Sequence, residues 1–473
     1  MTTETKRYDV AILGAGPGGY VCALDCARLG LKTALIEARE LGGTCLNRGC
    51  IPTKTLLHSA DVYRETLEAA KFGVSATDVS FDYSVANARR EKVVSQLRAG
   101  IKSLEKAAGV DVLFGRGVLT SATTIRVEPT AASEADAEPF EIEAAKVVIA
   151  TGANPSRPPI PGLDSPEVWT SDEMLTASAL PESAVIVGGG VIGVEFATLL
   201  AALGKKVTIL EGAPEILLGV DPDLTKLLLR QFKKWKIDVK TGVKVTQIAA
   251  TAGENAVETV VSFEEKGEVK TVAAERCVAC VGRSPATREL GLEAAGVATT
   301  ARGFVEVDEF LRTNVPNIFA IGDATGKIQL AHVASEQARI AARACAGKFD
   351  VAIDYNVVPS CVYSTPEIGS VGLSERAATE AGFAVEVGTF RVPANGRAMS
   401  AGVDNGFVKV VSDAATGKLL GAQMLAPRAT DMIAEVAVAL KAGLTVADFV
   451  ATIHPHPTFC EALQDAARAI IEK

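Results

Sequence analysis

The segment Gly42-Gly43-Thr44-Cys45-Leu46-Asn47-Arg48-Gly49-Cys50-Ile51-Pro52-Thr53-Lys54 carries the residues best suited to chemistry in this 473-residue chain. Two thiols could exchange electrons as a dithiol and a disulfide. In an ideal helix, Cα atoms five residues apart are separated by roughly 8.6 Å, beyond the ~7 Å limit for a bridge. A bond between Cys45 and Cys50 therefore requires distorted backbone, for which Gly42, Gly43 and Gly49 make room. The competing reading is two small buried hydrophobes, the usual fate of free cysteine. The flanking glycines, Pro52 and Lys54 fit that reading poorly.

His454-Pro455-His456-Pro457 holds two of the four histidines in the chain. Imidazole takes protons near neutral pH, and Glu461 can return to His456 as a carboxylate partner once a helix begins after Pro457. A surface turn with solvated imidazoles is an equal alternative. Glu195 lies in an apolar helical run, where an unpaired carboxylate costs several kcal/mol, so it needs a partner; Lys54 is the candidate, against a helix edge that reaches water. His58 and His332 read as surface or helix-start residues. Cys277 and Cys280 lie three apart in a β-like run and lack the second pair that a zinc site needs. Cys22 and Cys26 share a helix face, and Cys345, Cys361 and Cys460 are isolated; none is given a role, and no metal site is expected.

The elements that position these groups come from one unit used twice. Tyr8 to Leu13 is a short apolar run entering Gly14-x-Gly16-x-x-Gly19, followed by a helix pattern and a strand ending in Glu37. The same grammar returns from Ala184, with Gly188, Gly190, Gly193 and Glu211. Each acid lies 23 residues after its first glycine, the spacing at which a carboxylate meets a ribose hydroxyl while a pyrophosphate sits on the helix N-terminus. Two dinucleotide sites are predicted, and neither strand ends in the arginine that a 2′-phosphate needs. The glycine motifs are 174 residues apart but Gly152 and Gly282 only 130, so about 44 extra residues, the cysteine segment among them, follow Glu37 in the first copy. Glu128 to Glu138 reads as a hairpin loop, matched by the Lys266-Gly267 turn, and Asn317 to Ala324 as a strand ending in Gly-Asp. Beyond about Asp350 the pattern becomes a separate α+β domain, with strands at Phe407 to Val411 and Leu419 to Leu425.

Length allows two to four domains. Lys+Arg 48 against Asp+Glu 57 gives a net charge of −9 with no basic block, which argues against nucleic acid or an anionic membrane as partner. Nine scattered cysteines and no signal-like start predict a reducing cytoplasm. Ala184 to Gly204 is apolar enough to suggest a membrane span, but its four glycines after a β-branched run read as strand, turn and helix.

Taken together, Gly-Gly-Thr-Cys45-Leu-Asn-Arg-Gly-Cys50-Ile-Pro-Thr-Lys54, Gly188-Gly-Gly-Val-Ile-Gly-Val-Glu195, Val281-Gly-Arg-Ser-Pro, Ala320-Ile-Gly-Asp323, Ala394-Asn-Gly-Arg-Ala398 and His454-Pro-His456-Pro-Thr-Phe-Cys-Glu461 resemble the pyridine nucleotide-disulfide oxidoreductases over essentially the whole chain. The resemblance is to the branch that oxidises dihydrolipoyl groups with NAD⁺. It implies an α/β fold with two Rossmann-like dinucleotide-binding domains and a C-terminal α+β dimerisation domain. The implied boundaries are 1–155 for FAD, 156–282 for NAD, 283–352 for a central domain completing the FAD site, and 353–473 for dimerisation. It also implies a redox-active disulfide in which Cys45 exchanges with substrate and Cys50 faces the flavin, Lys54 with Glu195 beside the flavin ring, and His456 with Glu461 as base dyad, lent to the partner subunit of a homodimer. Gly14, Gly16, Gly19, Glu37, Lys54, Gly117, Thr151, Gly152, Asp323 and Ala331 would hold FAD, and Gly188, Gly190, Gly193, Glu211 and Gly282 NAD. The partners implied are lipoyl-bearing proteins of 2-oxo acid dehydrogenase or glycine cleavage complexes. Glutathione-type reductases, which carry basic residues for a 2′-phosphate, are opposed by Glu211, and mercuric reductases by the missing C-terminal cysteine pair. A flavoprotein kept only as a binding subunit is opposed by the intact Cys45, Cys50, His456 and Glu461. Arg48 stands where an apolar residue is common, and Gln329-Leu-Ala-His332-Val333 departs from a more usual Met-Leu-Ala-His-Lys.

Overall fold

The computed structural model describes residues 5–252 and 257–472. In the first unit, β1 (Lys6–Leu13) enters α1 (Pro17–Arg28), and the chain returns as β2 (Thr33–Glu37). β1 pairs in parallel with β2, Val10 opposite Thr33, and with the strand Phe140–Ile149, Ala11 opposite Val147. Strands of this kind are covered on both faces, which is why Val10 to Ile12 form an uninterrupted apolar run and are fully buried. The second unit repeats the arrangement. Ser183–Val187 leads to the helix Val191–Ala202 and then Lys206–Glu211, with Val185 opposite Thr208, and Arg276–Ala279 pairs on the other side. The apolar stretch is therefore strand, turn and a 12-residue helix. No described helix is long and apolar enough to cross a membrane.

The two units differ where the sequence places the extra residues. The strand after Lys206–Glu211 is reached through one helix, Pro222–Lys234, and begins at Asp238. The strand after β2 begins only at Asp111, and the intervening chain forms α2 (Gly43–Arg48), α3 (Cys50–Leu67) and α4 (Tyr83–Ala108). The short strand Ile318–Ala320 joins the first sheet beside Phe140–Ile149, so residues far along the chain return to the first glycine turn. Five antiparallel strands, from Ser360–Val362 to Leu419–Ala426, form the last sheet, packed against the helices Ala429–Lys441 and Glu461–Ile471. Its Lys409 is buried with Nζ 2.9 Å from Asp221, 2.8 Å from Asp223 and 2.9 Å from Glu375. Asp221 also caps the helix Pro222–Lys234, so this cluster ties the last sheet to the second nucleotide unit.

Glu105, near the end of α4, is fully buried, and neither carboxyl oxygen has a hydrogen-bond partner among the described residues. Burial pushes its pKa up to about 8, so the folded state favours the neutral acid. An unfolded glutamate ionises near 4.3, so stability is full below that value and falls as pH rises toward 8. Glu105→Gln is therefore expected to raise the melting temperature at pH 8 by clearly more than at pH 5. Equal gains at both pH values in thermal melts would remove the titration as the cause.

Candidate functional site

A cavity of about 1910 Å³ is lined by both glycine turns. That exceeds the roughly 300–1,000 Å³ of a site for one drug-sized ligand and leaves room for two extended ones. The turns have the same construction. Gly14 has φ +100° and Gly188 φ +110°, and a Cβ on them would stand 2.5 Å from Ala150 O and 2.3 Å from Cys280 O. Gly19 and Gly193 lie behind the cavity; a Cβ there would stand 1.8 Å from Gly14 O and 2.0 Å from Gly188 O, so they let each helix pack onto its turn. Gly16 and Gly190 cap the two helices without a side-chain hydrogen bond, leaving backbone N–H groups free for an anion.

Each strand-end carboxylate closes on its own turn. Glu37 accepts from Ala15 N and Arg39 N, both at 2.7 Å, and Glu211 from Gly189 N at 2.5 Å and Ala213 N at 2.6 Å. Burial pushes Glu37 upward, and the two N–H donors oppose it. Spare lone pairs remain on each carboxylate for ribose hydroxyls. Gly117, Thr151, Gly152, Asp323 and Ala331 line the same cavity, as does Gly282. The buried Thr151 Oγ1 has no hydrogen-bond partner among the described residues, and the glycine cradles would be filled by any Cβ, so the residues present fit a dinucleotide on each turn.

The cysteine segment is distorted as a bridge would require. α2 starts after Gly42, at φ +96°, and stops at Gly49, whose φ −145° and ψ −109° break the helix before Cys50 opens α3. The Cys45 thiol is hydrogen-bonded to Cys50. That bond and the charge of Lys54, one turn on, bring the Cys50 thiol down to about 7, whereas Cys45 is pushed up as the donor. Cys50 is also at a helix N-terminus, which favours a thiolate.

Lys54 Nζ lies 2.7 Å from Oε2 of the buried Glu195. Glu195 Oε1 accepts from Tyr363 N at 3.1 Å, and the Tyr363 ring lies 4.5 Å from Lys54 Nζ. Tyr363 was absent from the sequence reading because it comes from the last sheet domain, with no local signal. Arg283 also went unassigned. Its guanidinium is mostly buried 3.9 Å from Asp323 Oδ2 and hydrogen-bonded to Ala153 O, and it opposes the rise that burial imposes on the Asp323 carboxyl. Its signal lay in Val281-Gly-Arg-Ser-Pro, immediately after the Gly282 that matches Gly152.

His456 Nδ1 is 2.8 Å from Glu461 Oε1, and Glu461 Oε2 accepts from Thr458 N at 2.7 Å. Those two contacts hold the Glu461 carboxyl below its usual range, Thr458 first. The His456 side chain is 77 % exposed, and neither His456 nor Glu461 lines the cavity of its own chain.

The alternative of a turn with solvated imidazoles does not hold at His454: its side chain is 3 % exposed, with Nε2 2.6 Å from Glu435 Oε1 and Nδ1 2.9 Å from Thr452 O. Cys345 is not isolated either. The helix Ala331–Cys345 packs against α1, bringing Cys345 to Cys26, which itself lies 4.0 Å, sulfur to sulfur, from Cys22. His332 does open that helix, as expected, with Nε2 2.8 Å from Pro359 O.

Comparison with known proteins agrees with this geometry. The family model described as pyridine nucleotide-disulphide oxidoreductase matches residues 8–338, and that of its dimerisation domain matches 358–467. The chain is 41% identical to the dihydrolipoyl dehydrogenase of Bacillus subtilis over 476 residues, covering 99% of this chain and 98% of that one. It is 40% identical to that of Chlorobaculum parvum over 473 residues, again covering 99% and 98%. Among solved structures, the Cu(II) complex of the HOCl-induced flavoprotein disulfide reductase RclA from Escherichia coli superposes with a TM-score of 0.87 at 32% identity, covering 98% of this chain and 99% of that one.

Proposed function

The chain belongs to the pyridine nucleotide-disulphide oxidoreductases, and we propose that within this family it oxidises dihydrolipoyl groups on proteins at the Cys45–Cys50 pair and delivers the electrons to NAD⁺. It is an oxidoreductase that uses FAD and NAD, with an α/β fold ending in a dimerisation domain that supports a homodimer. The observation that carries the reading is the hydrogen-bonded thiol pair in a cavity lined by two glycine cradles, with a lysine–glutamate ion pair beside it.

The balanced reaction is dihydrolipoyl + NAD⁺ → lipoyl + NADH + H⁺. His456 takes the proton of one substrate thiol, with Glu461 orienting the ring and stabilising the imidazolium. The substrate thiolate attacks Sγ of Cys45 in the oxidised pair, the Cys45–Cys50 bond breaks, and Cys50 leaves as a thiolate, for which Lys54 and the α3 N-terminus make it suited. The second substrate thiol then displaces Cys45, its proton passing to the departing Cys45 thiolate, and closes the lipoyl ring. FAD, when bound, accepts the electron pair and passes it to NAD⁺. Lys54, held by Glu195, would stand beside the flavin ring, and Asp323 with the first glycine turn would hold the rest of that dinucleotide. Glu211 and the second turn would hold NAD.

We assign residues 1–155 to FAD, 156–282 to NAD, 283–352 to completing the FAD site and 353–473 to dimerisation. The strand Ile318–Ala320 in the first sheet supports the third of these. His456 and Glu461 lie outside their own cavity, which supports their serving the partner's site. Lipoyl-bearing proteins of 2-oxo acid dehydrogenase or glycine cleavage complexes are the partners proposed, in the cytoplasm. Steady-state assays with dihydrolipoamide and with glutathione, each with NAD and NADP, test the reading: turnover with glutathione in preference to dihydrolipoamide would overturn it.

Glu211, with both oxygens fixed by backbone N–H groups, cannot swing away from a 2′-phosphate. Like charges brought together at a binding site cost several kcal/mol. The kcat/KM for NADP⁺ is therefore expected to lie at least about 10²-fold below that for NAD⁺, with the gap narrowing in Glu211→Ser. Parity between the two nucleotides would rule out this role.

A further inference from the structure

Arg48 is the cation in the cysteine segment that the reaction above does not use. It ends α2, and its side chain is 16 % exposed although it carries a full charge. Among the described residues its only hydrogen-bond partner is Glu40, with Nη2 2.5 Å from Oε2. Glu40 lies on the loop after Glu37 and is itself 41 % exposed, so a side chain with five donors meets one half-solvated carboxylate. The other guanidinium donors remain available for an anion.

The cavity supplies the place for it. Arg48 lines the cavity, and α2 begins where a Cβ on Gly43 would stand 2.5 Å from Gly16 Cα, so the N-termini of α1 and α2 converge at the first glycine turn. The charge of Arg48 reaches Glu37 toward one end and Arg283 toward the other. Arg48 lines the same cavity wall as Glu37 and Asp323. Lys54 is engaged by Glu195, and Arg116, another cation on the cavity wall, is paired with Glu128 and Glu289.

Resting on the assignment of FAD to the first turn, we propose that Arg48 binds the diphosphate of that dinucleotide, turning to it donors that Glu40 now competes for. Planar guanidinium donors suit phosphate oxygens, and the N-terminus of α1 opens on the same cavity.

The test is titration of flavin-free protein with FAD and with riboflavin, which lacks the diphosphate, followed by flavin fluorescence at two salt concentrations. Arg48→Val and Arg48→Gln are expected to weaken FAD binding about 10- to 100-fold and to flatten its salt dependence, while leaving riboflavin binding and the melting temperature of the flavin-free protein unchanged. Glu40→Gln is expected to bind FAD as tightly as the parent protein or more tightly, since it removes a competing carboxylate. Unchanged FAD affinity in both Arg48 variants overturns the proposal. So does equal weakening by Glu40→Gln, which would make the pair a structural strut. Wild-type protein that binds no FAD would instead show that the cofactor assignment itself is wrong.

Discussion

Cys50→Ser is expected to lower dihydrolipoamide oxidation by at least about 10³-fold while sparing NADH-dependent reduction of an artificial electron acceptor. Without Cys50 there is no S–S bond for the substrate thiolate to open, so the substrate's electrons have no entry. Electrons arriving from NADH can leave to a small acceptor without the dithiol. Cys45→Ser is expected to be equally inactive toward dihydrolipoamide, yet the two variants should differ in the thiol that remains. In Cys45→Ser, Cys50 keeps Lys54 and the α3 N-terminus, and the serine hydroxyl can donate in place of the Cys45 thiol, so its pKa should stay well below that of an ordinary thiol. In Cys50→Ser, Cys45 has no such support. Alkylation of the reduced wild-type protein should therefore rise as pH passes about 7, because the thiolate predominates above that value. The same rise should come at a similar pH in Cys45→Ser and later in Cys50→Ser. Alkylation of Cys45 at lower pH than Cys50 would reverse the two roles.

The parts of this site that were legible in the sequence are those whose partners are set by local chain geometry. Gly14 and Gly188 are needed because their turns require φ near +100° against a neighbouring carbonyl, and the 23-residue spacing to Glu37 and Glu211 follows from a strand-helix-strand path. The pairing of His456 with Glu461 spans five residues, within reach of one turn into a helix. Lys54 and Glu195 are 141 residues apart, and that pairing could be inferred because Glu195 sits in an apolar run where an unpaired charge would be costly. The missed contacts lacked such a penalty. Tyr363 meets Glu195 through a backbone N–H, which any residue could supply, and Cys345 reaches Cys26 through helix packing that small apolar side chains leave unmarked. The burial of His454 was not legible for a related reason. A histidine between Thr452-Ile453 and Pro455 has no burial signature, and its partner Glu435 belongs to a helix ahead of it.

The burial of His454 sharpens the expectation for the base. A dihydrolipoyl thiol is mostly protonated near neutral pH, so removing a positioned proton acceptor should cost about 10²- to 10⁴-fold in rate. His456→Gln should therefore cripple dihydrolipoamide oxidation and spare NADH-to-acceptor transfer, and Glu461→Ala should show a smaller loss because that residue accepts no proton itself. His454→Gln should mainly lower the melting temperature, since its ring is packed against Phe449 and paired with Glu435, with a milder loss of rate. A greater rate loss in His454→Gln than in His456→Gln, in protein of equal flavin content, would place the base on the wrong ring. The exposure of His456 and its absence from its own cavity add a second requirement, that it act across the dimer. Subunits carrying His456→Gln and subunits carrying Cys50→Ser are each inactive as homodimers. In a mixed dimer, the subunit with intact Cys50 faces a partner with intact His456, whereas the other site lacks both. Random reassortment of equal amounts makes half of the dimers mixed, each with one complete site, so about one quarter of wild-type activity should return. If His456 served its own chain, no site in the mixture would be complete and the activity would stay at the level of the homodimers.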